Sequence, residues 1–342
     1  MLSLIICSKH SMIDEFLKRN ISETIGVDYE IVHIDNSKNQ YTIFQAYNVG
    51  VQRAKGDYLC FMHEDVIYHS QGWGGVVQKC LEQDFVGALG VVGSTIVHDR
   101  IDWRFLEHQY SGIIQGAFSV EKNPLYYWTH TPFKQEKMPI CQVATLDGVW
   151  ICIRKELFDK KQLCFDEKTY HGFHQYDNDI CMQVNLLGKG VFLTTDVLLE
   201  HKSEGVFSVE YKENMDLFLR KWQKCLPMVK GIHIEKKEID LLLKDAEHDV
   251  EERLAQDAMM VNLSERLKKE GSQHFTKDEK KMMEKTAYYS RKHYIKMTDM
   301  PSSEVWGLVW DYCCQPWATR RTKLLYKFYW YRVLKRKKGS CG

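Results

Sequence analysis

The amino-acid sequence predicts an α/β fold, a mostly parallel central sheet covered by helices, followed by a helical C-terminal extension. Three observations predict it. Short apolar runs alternate with amphipathic stretches through the first half of the chain. Polar and acidic residues stand directly after those runs. From about residue 231 the pattern changes to long, charged, helix-like stretches with few strand signals.

The elements follow in order. Leu2 to Cys7 is an apolar run short enough for a buried strand, and Met12 to Ile25 is polar and amphipathic. Tyr29 to Ile34 is the second strand, Tyr41 to Ala54 the second helix, and Asp57 to Met62 the third strand. In an open sheet built this way, ligands bind beyond the carboxyl ends of the strands. The residues to watch are therefore Ser8 to Ser11, Asp35 to Lys38 and His63 to Val66. Further β-rich runs, Gly90 to Val97, Val143 to Ile153 and Gly190 to Leu199, complete one domain over residues 1–230. Residues 231–342 form the expected helical extension. It ends in Ala318 to Lys338, a basic, aromatic segment without an acidic residue.

Composition limits the partners. With 342 residues, 44% of them hydrophobic, the chain is long enough for a large core. A net charge of +1 gives no reason to expect nucleic acid as a partner. No apolar run approaches the roughly 20 residues that a membrane-spanning helix requires, so the expectation is a cytoplasmic protein, attached at most to the inner membrane face. The 11 cysteines show no CxxC spacing and fit reduced thiols. The C-terminal basic segment suits either peripheral contact with an anionic membrane or packing in a homodimer.

The sharpest chemical feature is His63-Glu64-Asp65, directly after the run Tyr58 to Met62. Adjacent acids at a strand end suit a hard divalent cation, Mn²⁺ or Mg²⁺, whose oxygen ligands are shared with phosphates. An isolated acidic pair is more often a solvated turn or helix cap. The neighbouring matches favour the cation.

Those matches run in order along residues 1 to 225. Leu2 to Ser8, Tyr29-Glu-Ile-Val-His-Ile-Asp-Asn-Ser37, Ala46-Tyr-Asn-Val-Gly50, Ala54-Lys-Gly-Asp-Tyr58 and Phe61-Met-His-Glu-Asp65 are followed by Asp147-Gly-Val-Trp150, Phe165-Asp-Glu167 and His174-Gln-Tyr-Asp-Asn-Asp179. Together they resemble the inverting glycosyltransferase family 2, with its GT-A nucleotide-diphospho-sugar transferase fold. Tyr before Asp at 176–177 is similar to a streptomycin-biosynthesis (StrF-like) subgroup. The departures are Cys7-Ser8 in place of Pro-Thr and His63 in place of the first acid of the metal motif.

The resemblance implies a role for each matched position. Ser8, Asp35, Asn48 and Glu64 are expected on the donor side, with Asp35 at the nucleotide base and Glu64 at the ribose. Asp65 and His201 are the expected metal ligands, and Asp177 the general base. Asp147, Trp150, His174 and Tyr176 are expected on the acceptor side. The implied substrates are a nucleotide-diphosphate sugar, a UDP-sugar first, and a saccharide or lipid-linked acceptor, and the sugar moved is a hexose. At the residue level alternatives stay open: helix capping for Asp177 and, more strongly, for Asp179; a hydrogen-bonded structural role for His201; and the core for Trp150. Neither GxGxxG nor GxxxxGK[ST] follows the first strand, against a dehydrogenase or a P-loop enzyme. The serious alternative is a non-catalytic nucleotide-sugar-binding or assembly protein of the same fold.

Overall fold

A computed structural model describes residues 1–105, 109–117, 125–130, 140–202 and 209–234, together with positions 237, 239 and 276. The elements run β1 (Leu2–Ser8), α1 (Glu15–Thr24), β2 (Tyr29–Asp35), α2 (Ile43–Arg53), β3 (Tyr58–Met62), β4 (Val66–Tyr68), α3 (Trp73–Leu81), β5 (Val86–Gly90), β6 (Val92–Ser94) and β7 (Ile96–Val97). After a single 3-10 turn (Trp103–Phe105) come β8 (Gln109–Ala117), β9 (Leu125–His130), β10 (Ile140–Val143), β11 (Thr145–Leu146), β12 (Trp150–Arg154) and α4 (Lys155–Asp159). The described chain closes with α5 (Tyr176–Leu186), β13 (Gly190–Thr194), β14 (Leu199–His201), α6 (Val209–Trp222) and β15 (Met228–Val229).

The central sheet has seven strands in the order β10-β13-β5-β12-β3-β1-β2. β1 pairs in parallel with both β2 and β3, and β13 with β5, while β12 runs antiparallel between β3 and β5 and β10 runs antiparallel to β13. Five of the seven strands therefore point the same way, as expected of a mostly parallel sheet. A smaller sheet, β11-β6-β8-β14-β4 with β9 beside β8, adjoins the strand ends in sequence.

Both faces of the central sheet are buried along its inner strands β1, β3, β5, β12 and β13, which is why these read as continuous apolar runs. The strand period of two divides each run between two cores. Leu2, Leu4 and Ile6 of β1, with Cys60 and Met62 of β3, pack against Leu17 and Ile21 of α1 and Trp73 and Val77 of α3. Ile5, Leu59 and Phe61 turn the other way, toward Phe44 and Tyr47 of α2 and Ile180 and Val184 of α5. Helix α2 begins with a reciprocal cap: the Gln45 backbone N–H donates to Thr42 Oγ1 (3.3 Å), and the Thr42 N–H donates to Gln45 Oε1 (3.0 Å). Gly50 lets α2 approach β1, since a Cβ there would run into the Ile5 side chain.

Two expectations need correction. Cys60 and Cys152 are directly opposed in the β3/β12 pair, with Cα atoms 4.1 Å apart, and form a disulfide, so the thiols are not all reduced. Their separation of 92 residues hid the pair from any local spacing rule. Helix α5 starts at Tyr176, which puts Asp177 and Asp179, the two open candidates for helix capping, inside its first turn. Neither caps it: the N-cap residue is Gln175, in the left-handed region at φ 69°, and it makes no side-chain cap bond.

Contacts group the chain into two units. The first comprises Met1–Ile113, Thr131–Glu200 and Phe207–Glu252, and carries the central sheet; the second comprises Ile114–His130, His201–Val206 and Arg253–Gly342. Among the described residues no helix is long and apolar enough to cross a membrane. The helical extension expected over 231–342, with its basic aromatic segment, lies almost wholly outside the described residues.

Candidate active site

The register of β1 and β2 sets Ser8 opposite Asp35, and β3, on the other side of β1, runs straight into His63-Glu64-Asp65. Three adjacent strands thus end in polar groups along one edge. The Ser8 hydroxyl donates to Glu64 Oε2, the Lys9 N–H donates to Glu64 Oε1 (3.2 Å), and the His10 N–H donates to Ser8 Oγ (2.9 Å). Asp35 is exposed; its carboxylate accepts from the Ser37 N–H (2.9 Å), and hydrogen bonding from Ser37 holds its pKa below the usual carboxylate value.

Asn48 does not join this group. Its Nδ2 donates to the Phe165 carbonyl (2.8 Å) and to Glu167 Oε2 (3.0 Å), and its Oδ1 accepts from the Phe165 N–H (3.1 Å). With both ends of the carboxamide occupied, Asn48 ties α2 to the Phe165-Asp-Glu167 segment. The donor-side role expected of it is corrected to a structural one.

Past the end of β3, His63 and Asp65 bring an imidazole and a carboxylate side by side. Asp65 was expected as a ligand, and His63, where an acid was expected, sets an imidazole beside it. His201 is positioned as the last residue of β14. His63 Nδ1 lies 4.0 Å from Asp65 Oδ1, and His63 Nε2 lies 3.0 Å from the Tyr176 hydroxyl. Tyr176 in turn hydrogen-bonds Tyr47. With Nε2 protonated toward Tyr176, Nδ1 carries the lone pair on the Asp65 side, the arrangement by which a partner group fixes a ligand tautomer. Tyr176, expected on the acceptor side, is buried and supports the imidazole instead. Gly148 makes room for it, because a Cβ there would collide with the Tyr176 ring.

Asp177 is buried at the start of α5. Its Oδ2 accepts from Arg104 Nη2 (2.8 Å) and from the Gly148 N–H (3.0 Å), and its Oδ1 accepts from the Asn178 N–H (2.8 Å). Asp147 stands beside it, its Oδ2 bound to the same Nη2 (3.0 Å) and its Oδ1 accepting from the Val149 N–H (3.0 Å). Burial raises the Asp177 pKa above the usual carboxylate value; Arg104 opposes the shift and Asp147 adds to it. His174 is half-buried, packs edge-on against Tyr211 at 5.4 Å and has its pKa lowered chiefly by burial.

Trp150 is wholly buried and packs edge-on against Trp73 at 6.1 Å. It offers a ligand no surface, so the acceptor-side role expected of it is corrected to core. Asp179 accepts from Tyr170 Oη (2.9 Å), Trp222 Nε1 (2.8 Å) and Gln183 Nε2 (2.8 Å) and pairs with Lys221 Nζ (2.7 Å), which fastens α6 to α5.

Sequence reasoning missed Arg104, and missed His63 as a candidate ligand. Arg104 lies on a single 3-10 turn with neither periodicity nor a matched motif, and nothing local signals it. His63 carried a signal that was read only as a substitution: an imidazole at a strand end beside two acids is itself a ligand type.

The sheet, with polar and acidic groups gathered at its strand ends, finds its class by comparison. Residues 3–222, more than half of the chain, match the family described as "Glycosyltransferase like family", and the chain belongs to that family. It is similar to "ATP synthase subunits region ORF 6" of Fuscovulum blasticum, 25% identical over 203 residues that make up 58% of this chain and 73% of that protein. Among solved structures, the crystal structure of GalNAc-T7 with UDP, GalNAc and Mn²⁺ aligns with 76% of this chain at 14% identity and a TM-score of 0.43. The alignment spans 57% of the GalNAc-T7 chain.

Proposed function

We propose that the protein is an inverting glycosyltransferase that moves a hexose from a nucleotide-diphosphate sugar, a UDP-sugar first, to an acceptor hydroxyl on a saccharide or lipid-linked substrate. The observation that carries this reading is the gathering of Ser8, Asp35, His63, Glu64 and Asp65 at three adjacent strand ends in a chain of a glycosyltransferase family.

Imidazole and carboxylate, the ligand types that His63 and Asp65 bring together and that His201 would extend, fit a divalent cation, and imidazole nitrogen favours Mn²⁺ over Mg²⁺. His63, Asp65 and His201 would hold the ion, which when bound neutralises charge developing on the leaving diphosphate. Asp35 would meet the nucleotide base and Glu64, steadied by Ser8, a ribose hydroxyl. Asp177 would take the acceptor proton as the acceptor oxygen attacks the anomeric carbon from the face opposite the nucleotide. Asp147, bound to the same Arg104 Nη2 as Asp177, and His174 would meet acceptor hydroxyls. A cytoplasmic setting, with the basic C-terminal segment at a membrane surface or in a dimer, belongs to the same proposal.

The test is UDP release from UDP-glucose, UDP-galactose and their N-acetylated forms with Mn²⁺, with and without added oligosaccharide. Turnover abolished by chelation, restored by Mn²⁺ and lost in both Asp65→Ala and Asp177→Asn supports the reading. Donor binding without turnover under any acceptor would favour a non-catalytic binding protein.

A further inference from the structure

Arg104 is the one basic side chain hydrogen-bonded to the acceptor-side carboxylates among the described residues, and its geometry assigns it a task. It sits on the 3-10 turn, next to Trp103. That indole is buried and donates from Nε1 to Asn178 Oδ1 (2.8 Å), fastening the turn to the first turn of α5. The Arg104 guanidinium carbon lies 4.6 Å from the Trp103 ring centre. The Arg104 N–H donates to Asp102 Oδ1 (2.8 Å), and Nη1 lies 3.3 Å from Asp102 Oδ2. From that braced position Nε and Nη2 reach Asp147 Oδ2 (3.2 and 3.0 Å), and Nη2 also reaches Asp177 Oδ2 (2.8 Å).

One oxygen of Asp177 is therefore taken twice, by Arg104 and by the Gly148 N–H, while Oδ1 accepts a single bond, from the Asn178 N–H. A carboxylate oxygen has two acceptor positions, so Oδ1 keeps one open. We propose that Arg104 is the positioning residue for the general base: its guanidinium occupies the Oδ2 edge of Asp177 and ties it to Asp147, leaving Oδ1 to receive the acceptor proton. This inference rests on the assignment of Asp177 as base.

The step balances. The acceptor oxygen forms a bond to the anomeric carbon, the bond from that carbon to the diphosphate oxygen breaks with its electron pair going to the diphosphate, and the hydroxyl proton passes to Asp177 Oδ1.

The groups facing Asp177 decide its charge. Arg104 comes from the 3-10 turn and Asp102 from the residue before it, Asp147 from the segment before β12, Tyr47 from α2, Tyr176 and Cys181 from α5, and Tyr211 from α6. Asp102, Asp147 and Asp177 carry three potential negative charges and Arg104 the one positive charge among these groups. Burial works against the guanidinium, but the three carboxylates hold it charged, above the ordinary arginine range. Without it, Asp177 would sit buried beside other acids with no counter-ion of its own among the described residues and would hold a proton when it should accept one.

The experiment uses the full chain with carboxyl-¹³C-labelled aspartate, the Asp177 resonance being identified by its loss in Asp177→Asn. Arg104→Gln is expected to raise the Asp177 titration midpoint by about 1 to 3 pH units, the range for loss of a neighbouring opposite charge. Arg104→Lys is expected to hold it near the wild-type value. The acid limb of kcat/KM for UDP release from UDP-hexoses with Mn²⁺ should move upward with the midpoint, while donor KM stays the same. An unmoved midpoint in Arg104→Gln overturns the inference, whether or not turnover is seen. An unmoved acid limb, where Asp177→Asn is inactive, overturns it too and leaves the base assignment standing. An active Asp177→Asn instead removes the base assignment on which the inference rests.

Discussion

Replacing Tyr176 with Phe separates its support of His63 from its packing. The ring stays, edge-on to Tyr47 at 5.4 Å and to Phe44 at 6.4 Å, and only the hydroxyl is lost. Two hydrogen bonds go with it. At Tyr47, whose side chain is buried, the hydroxyl is left without its Tyr176 partner, which costs about 1 to 3 kcal/mol. At His63, 36% exposed at the side chain, water can replace the lost partner, so little folding energy is at stake. The consequence there is orientational: the imidazole no longer has a fixed proton on Nε2. Losing such a supporting bond typically lowers metal affinity about 10- to 100-fold, or about 1.4 to 2.7 kcal/mol. Calorimetric titration with Mn²⁺, beside thermal melts, measures both terms. Tyr47→Phe is the control, since it shortens the same chain of hydroxyls but leaves the His63 to Tyr176 bond; it should leave Mn²⁺ affinity within a few-fold of wild type. A Tyr176→Phe protein that melts earlier yet binds Mn²⁺ as tightly as the wild type would refute the assignment of His63 Nδ1 as a ligand oriented by Tyr176.

Other perturbations test the remaining contacts. Lys221→Met should cost about 3 kcal/mol at neutral pH, the low end for breaking a buried pair because Lys221 stays a quarter exposed; an unchanged denaturation midpoint would show that the α5–α6 tie adds nothing. The same substitution should flatten the acid limb of stability. Burial alone would raise the Asp166 pKa, but hydrogen bonds from Lys221 and Thr169 bring it down to about 2, so its stabilisation is present above about pH 4 and lost as pH falls through 2. An acid melting profile that keeps its slope in the variant contradicts this. Gly148→Ala should destabilise by about 1 to 3 kcal/mol through overpacking against Tyr176, measured by urea denaturation, and a neutral result would mean that Tyr176 moves freely. Asp35→Ala should weaken UDP binding before it affects turnover, and a normal UDP affinity by calorimetry removes Asp35 from base recognition. Sedimentation with anionic liposomes at low salt should pull down the full chain and spare a form ending before Ala318; equal supernatants would assign that segment to packing or dimerisation.

Much of the fold was legible because strand runs and helix stripes are local. Leu2 to Cys7, Tyr29 to Ile34 and Asp57 to Met62 needed only their apolar continuity to be read as strands, and each ends within a residue of its observed limit. The motif after β3 was legible for the same reason, since ordered matches place carboxylates at a strand end without any knowledge of what faces them. Asn48 and Trp150 were misread because a motif position does not say which way a side chain turns. Strand alternation sends Trp150 into the core with Trp73, and hydrogen bonding commits Asn48 to a loop more than a hundred residues away.

The sequence by itself determined the class of fold, the order of the parallel strands' polar ends, and Asp65, His201 and Asp177 as the groups to examine. Only the tertiary structure decided that His63 stands beside Asp65, that Tyr176 supports it, that Cys60 and Cys152 meet across β3 and β12, and that Arg104 reaches both Asp147 and Asp177. The physical reason is separation along the chain. Helix and strand formation depends on residues a few positions apart, whereas Arg104 reaches aspartates 43 and 73 positions away, and no periodicity along the chain records a contact made by packing.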